Sequence, residues 1–197
     1  KAGQLRVDSC IRRPRDSVIG GETVSGEWVR EAETTAIAQN IPLDLRYQDA
    51  DLLVINKLAG LVAHPAAGNR DGTLVNALLY HFPELATLPR AGLVHRLDKD
   101  TTGLLMVACS QRAHTALIEQ LQARRIEREY LAVINGTPVA GGTVDAPVGR
   151  HPVDRQRMAV TSGGKLAVTH YRVLRRFCTH TLIRAKLETG RTHQIRV

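Results

Sequence analysis

The sequence predicts an α+β domain built on a mixed, mostly antiparallel sheet flanked by helices. Three observations carry that expectation. Apolar runs are short and strand-sized, only two segments show helical spacing, and the strand-like runs crowd towards the C-terminal end.

Each element can be justified in chain order. Residues 3–8 read as a short strand running into a turn, and residues 18–24 as a second strand kinked at Gly20-Gly21. Residues 34–41 read as an irregular linker, and Ile41-Pro42-Leu43 opens the next unit, which puts a boundary near residue 40. Residues 52–55 form a buried strand ending at Asn56-Lys57. Asp71-Gly72-Thr73 then supplies an N-cap for a helix whose apolar residues are Leu74, Val75, Leu78 and Leu79. Residues 92–94 and 104–108 are expected to be strands on either side of a polar hinge at 95–103. Ser110 caps a second helix with Ala113, Leu117 and Leu121 on its apolar face. Three further strands are expected at residues 130–133, 166–174 and 181–188. In the last, Ile183, Ala185 and Leu187 alternate with Leu182, Arg184, Lys186 and Glu188, so one face is buried.

Composition narrows the function. The 197 residues allow one domain with a real core and a small appendage. Lys and Arg total 27 against 19 Asp and Glu, a formal charge of +8, which favours a polyanionic partner such as nucleic acid over simple solubility. No apolar run is long enough to span a bilayer, and the first residues carry no secretory h-region. The three cysteines are widely spaced and never form a C-x-x-C pair, which fits reduced thiols in a cytoplasmic protein. The eight histidines are scattered, without metal-ligand spacing, so no metal is expected. A monomer is the default expectation.

The densest functional string is His95-Arg96-Leu97-Asp98-Lys99-Asp100-Thr101-Thr102-Gly103, a polar loop anchored by apolar runs on both sides. From spacing alone, a solvated turn is the stronger reading. The string nevertheless resembles the signature that houses the catalytic aspartate of pseudouridine synthases of the RluA/RluD type. Three further strings agree in order. Arg128-Glu129-Tyr130 resembles that family's tyrosine motif, and Glu188 to Arg196 its third motif. Asn56-Lys57 followed by Gly60-Leu61-Val62-Ala63-His64-Pro65 resembles its opening strand and loop. The resemblance covers residues 43–197.

What the resemblance implies is specific. The fold would be the pseudouridine synthase catalytic fold, with a central RNA-binding cleft. The reaction would cut the N1–C1′ bond of a uridine in structured RNA, turn the base and join C5 to C1′. Large-subunit ribosomal RNA is the suggested substrate. Nothing is oxidised or transferred away, so no cofactor is needed, and the sequence holds no phosphate-cradling G-x-x-x-x-G-K-[ST] loop. Asp98 falls on the catalytic carboxylate, which can act as a nucleophile or a base. Arg196 falls on the arginine that partners it, and a guanidinium suits that task because its planar fork matches a carboxylate. Tyr130 falls on the active-site tyrosine that stacks on uracil; without the motif it reads as a core residue. Ile195 would form an apolar wall beneath the base. Arg96 would contact the RNA backbone or fill the space left by an extruded base. His95, Lys99, Arg191 and His193 are further RNA-contact candidates, and residues 190–193 are expected to lead into a helix.

Asp100, two residues from Asp98, is read as supporting the loop through Thr101 or Thr102. Residues 1–40 resemble the tail of an S4-like RNA-binding domain followed by a linker, and 41–197 a catalytic domain that is C-terminally incomplete. Two rivals remain. A non-catalytic RNA-binding protein would bind without isomerising. A hydrolase using Asp98 and Asp100 would need two carboxylates facing each other across the bond, which this spacing does not favour.

Overall fold

The computed structural model describes residues 5–12, 16–26, 36–66 and 68–197. Gly3 and Gln4 of the first expected strand, and Thr34 and Thr35 of the expected linker, lie outside the described residues.

The fold is α+β, and every pairing between its strands is antiparallel. The strands divide among four sheets. Near the N-terminus, β1 (Leu5–Val7) lies between β2 (Cys10–Ile11) and β3 (Val24–Gly26). The strand expected at 18–24 therefore begins only at Val24, because Gly20 and Gly21 form a turn closed by Glu22 N donating to Ile19 O.

The second sheet is β4 (Leu45–Gln48), β5 (Leu52–Lys57) and β6 (Gly103–Ala108). In β5 the two-residue period turns Leu53, Ile55 and Lys57 to one face, and each is only 1% exposed. Against that face packs α1 (Leu74–His81), which brings Leu74, Val75 and Leu78 into the core. Asn76 Oδ1 accepts from Thr73 N (2.9 Å) at the start of this helix, while Asn76 Nδ2 donates to Ile37 O (2.7 Å), pinning the incoming chain. Helix α2 (Gln111–Gln122) starts as expected, with Ser110 Oγ accepting from Ala113 N at 3.1 Å.

Residues 92–94 are not a strand. Pro89–Gly92 is a tight helical turn in which Arg90 and Ala91 take left-handed backbone angles, and Leu93 makes a single bridge to Val107. Gly92 is required there, since a Cβ would stand 2.1 Å from Ala108 O. The apolar Gly-Leu-Val run is buried because it is pressed against β6, not because it joins a ladder.

The third sheet runs in the order β7 (Glu129–Asn135), β12 (His180–Leu187), β11 (Val168–Arg176), β8 (Gly142–Asp145). Ile183 and Ala185 are buried and Arg184 and Lys186 exposed, the expected alternation. Tyr130 is paired with Ala185 across β7 and β12, so both point inwards, and Tyr130 packs on the main apolar cluster. A separate hairpin, β9 (Val148–Arg150) with β10 (Met158–Val160), completes the fold. Among the described residues no helix is long and apolar enough to cross a membrane.

Candidate active site

The loop from His95 to Thr102 leaves Leu93 and returns to β6, and its backbone is fixed from below. Lys57 Nζ donates to Leu58 O (2.8 Å), Leu61 O (2.9 Å) and Lys99 O (2.8 Å), spending all three protons on carbonyls of two loops. Burial lowers its pKa, while Asp100 and Asp98 act the other way. Leu97 is buried among the core residues, so its neighbours on either side, Arg96 and Asp98, are turned towards the open side. Thr101 N donates to Asp98 O (3.1 Å) and closes the turn. Asp100 makes no hydrogen bond to Thr101 or Thr102 among the described residues. It serves instead as an acidic neighbour of Lys57.

Asp98 meets partners from the far end of the chain. Arg196 Nη1 lies 2.9 Å from Asp98 Oδ2, and His193 Nε2 lies 3.8 Å from Oδ1, a contact that becomes an ion pair only when the ring is protonated. Both come from the segment after β12, where His193 is left-handed and Gln194–Arg196 forms one short 3₁₀ turn. Residues 190–193, expected to lead into a helix, lead into this single 3₁₀ turn.

Two cavities share Asp98 as a wall. A cleft of about 520 Å³ is lined by His95, Arg96, Asp98, Tyr130, Arg191 and His193, together with Arg90, Arg128 and His64. An adjoining recess of about 210 Å³ is lined by Arg96, Asp98, Tyr130, Arg191, His193, Ile195 and Arg196. Eight of the nine residues singled out from the sequence therefore converge. Lys99 is the exception: it is exposed and lines neither cavity, contributing its carbonyl to Lys57.

The electrostatics are one-sided. Asp98 is the sole carboxylate among the described residues lining either cavity, and it is already met by Arg196. The cations around it are left to an external anion. The side chains of Arg90 and Arg96 make no hydrogen bond or ion pair among the described residues. Arg191 Nε donates to Leu166 O (2.8 Å). Arg128 reaches Glu188 O only at 3.4 Å, and its buried Nε has no partner among the described residues. Gly190 leaves it room, since a Cβ there would stand 2.3 Å from Arg128 Nη1.

Two neutral rings border the cations. Burial, helped by Arg128, lowers the pKa of His95 from 6.5 to about 4. Its Nε2 accepts from Met106 N at 3.0 Å, so the neutral ring carries its proton on Nδ1. Burial pushes the Tyr130 phenol up; Arg128 opposes that rise and Asp98 adds to it. Tyr130 is thus a protonated hydroxyl at neutral pH, a hydrogen-bond donor and stacking surface. Among the described residues no group of three or more His, Cys, Asp or Glu is placed to hold a metal.

Sequence reasoning passed over Arg90, and placed Lys57 and Arg128 only within the strings Asn56-Lys57 and Arg128-Glu129-Tyr130, not as residues that anchor or line the site. The parity of β5 could have flagged Lys57, which continues the buried series Leu53, Ile55. Nothing local marks Arg90, because its left-handed backbone is set by the packing of Gly92 on β6.

Comparisons with known proteins bear on this site. The model of a family described as RNA pseudouridylate synthase matches residues 51–197. A ribosomal large subunit pseudouridine synthase D from Pseudomonas aeruginosa is 59% identical over 197 residues, covering 100% of this chain and 62% of that protein. The protein of the same name from Escherichia coli (strain K12) is 56% identical over 185 residues, covering 94% of this chain and 57% of its own length. The chain thus spans about three-fifths of the length of these curated relatives. Among solved structures, Human RNA Pseudouridylate Synthase Domain Containing 1 superposes with a TM-score of 0.64 at 27% identity, covering 79% of this chain and 63% of that one.

Proposed function

The chain belongs to the RNA pseudouridylate synthase family, and from that premise we propose that it isomerises uridines to pseudouridine in structured RNA, with large-subunit ribosomal RNA as substrate. The observation that carries this reading is the pairing of Asp98 with Arg196 beside Tyr130, in a recess whose further charged side chains, Arg96 and Arg191, are cations.

The target uridine leaves its stack and enters beside Asp98. Arg96, exposed and unpaired at the mouth, contacts the RNA backbone or fills the space the base vacates, and Arg191 and His193 border the same opening. Lys99 meets the RNA from outside the cleft. The base lies on Tyr130, with Ile195 as the apolar wall of the recess. His95 offers its Nδ1–H from the deep side. Asp98, held by Arg196, reacts as nucleophile or base while the N1–C1′ bond opens. The base turns, C5 joins C1′, and the C5 proton is lost to solvent. Every heavy atom of the uracil is retained, and the proton lost from C5 is balanced by one taken up at N1, so the chemistry needs no cofactor.

Residues 41–197 form the catalytic portion in this proposal, and residues 1–40 an S4-like segment with its linker. The protein works as a cytoplasmic monomer. The identity to ribosomal large subunit pseudouridine synthases D favours ribosomal RNA over transfer RNA. The test is tritium release by the full-length protein from 5-³H-uridine-labelled large-subunit RNA, small-subunit RNA and transfer RNA. Release from large-subunit RNA alone is expected. Tight binding without release from any of the three would leave a non-catalytic RNA-binding protein.

A further inference from the structure

We propose that Gln194 is the positioning residue of this site: its side-chain amide staples the C-terminal turn to β11 and so sets Arg196 against Asp98. This inference rests on the reading of Asp98 as the reacting carboxylate.

The turn needs an external hold. It is a single 3₁₀ turn, Gln194–Arg196, too short to be stable by itself. It is preceded by His193 at φ 57°, a left-handed conformation unfavourable for a residue with a Cβ. The Arg196 side chain is 61% exposed, so its pairing with Asp98 gains little from burial and is entropically expensive to hold. The geometry of the pair therefore depends on where the backbone delivers Arg196.

Gln194 supplies that hold with every hydrogen-bonding valence of its amide. Its Oε1 accepts from Arg191 N (2.9 Å) and from Thr189 Oγ1 (2.9 Å). Its Nε2 donates to Val168 O (3.1 Å) and to Thr169 Oγ1 (2.9 Å). Thr189, only 5% exposed, completes the staple by accepting from Val168 N at 2.9 Å. The anchoring partners lie on β11 and at the exit of β12, and none on the catalytic loop. The staple thus belongs wholly to the C-terminal sheet, and only Arg196 and His193 reach from it towards Asp98.

An amide is the group this geometry requires. A carboxylate would keep the two acceptor contacts but place negative charge against Val168 O. A methionine would fill the same volume and satisfy none of the four. A direct role for Gln194 in RNA binding would show in KM, whereas displacement of Arg196 shows in kcat.

The experiment uses the full-length protein and the variants Gln194→Met, Thr189→Val, Arg196→Gln and the double variant Gln194→Met/Arg196→Gln. Gln194→Met is expected to lower kcat for tritium release about 100-fold, the cost of a misplaced catalytic partner, with KM for RNA within about 3-fold. Thr189→Val is expected to lower kcat in the same direction. The double variant should be no slower than Arg196→Gln alone, because the staple acts through that arginine. Multiplying losses, a wild-type kcat in Gln194→Met, or a change confined to KM would each overturn the proposal. The Arg196 side-chain N–H resonances provide a readout independent of turnover. They should be protected from exchange in the wild type and lose protection in both Gln194→Met and Asp98→Asn, in samples whose melting confirms a folded protein. Persistent protection in Gln194→Met overturns the staple. Absence of tritium release from the wild type, with protection lost as expected, counts against the isomerase reading alone.

Discussion

Residues 53–107 supply every buried side chain of the main apolar cluster, from Leu53 and Ile55 through Leu78 to Val107. The sheet between Glu129 and Leu187 is built differently. It buries Ile183 and Ala185 but leaves Leu131 and Val133 more than half exposed, and it secures its ends with hydrogen bonds such as Thr181 Oγ1 to Gly136 O (2.8 Å). Asp98 stands on the first region and Arg196 on the second. The difference teaches that the carboxylate is placed by packing and its partner by polar fastening. Stability and reactivity are therefore separable in this molecule: truncations in the first region should unfold it, and polar changes in the second should disarm it.

The strongest way to break that comparison is a matched pair of truncations. Leu78→Ala, fully buried in the first region, should lower the unfolding free energy by about 2–5 kcal/mol in a urea titration. Leu131→Ala, at a side chain 68% exposed, should change it by no more than about 0.5 kcal/mol. Equal effects would mean that the two regions share one core.

Next in size is a pH effect confined to the first region. His95 has a folded pKa of about 4 against an ordinary 6.5, so the unfolded chain binds the extra proton between those values. Its contribution is complete above pH 6.5 and is lost as the pH falls towards 4, up to about 3 kcal/mol. His95→Gln should flatten stability across that window, and an unchanged acid limb would show that another group titrates there.

A change across the seam sharpens the comparison. Arg196→Gln should lower kcat about 100-fold while shifting the urea midpoint by the equivalent of less than about 1 kcal/mol, because the pair is largely exposed on the arginine side. Smaller still is the effect of Arg128→Gln. It should weaken RNA binding and reduce the slope of log affinity against log salt by about one, as expected when one phosphate contact is removed.

The site was more legible in the sequence than the frame that carries it. Asp98, Tyr130 and Arg196 lie far apart in the chain, and local spacing favours a turn at Asp98 and a core residue at Tyr130. Only the likeness of whole strings brought them together, and the folded chain places them around one cavity. Lys57 was missed because a lysine is read as a surface residue, although strand parity turns it inwards. The run at 92–94 looked like a strand because burial and ladder pairing leave the same apolar signature over three residues. The strands β8, β9 and β10 are only three or four residues long, too short to carry a periodic signal. The division into four sheets depends on long-range pairing, which local pattern does not encode.

The measurement that tests the central claim most directly is tritium release from 5-³H-uridine-labelled large-subunit RNA by full-length wild-type protein and by Asp98→Asn, with RNA affinity measured on the same samples. Release by the wild type and none by the variant, at equal affinity, is the expected result. Turnover by Asp98→Asn within about 10-fold of wild type would contradict the account, since an amide can serve neither as the nucleophile nor as the base.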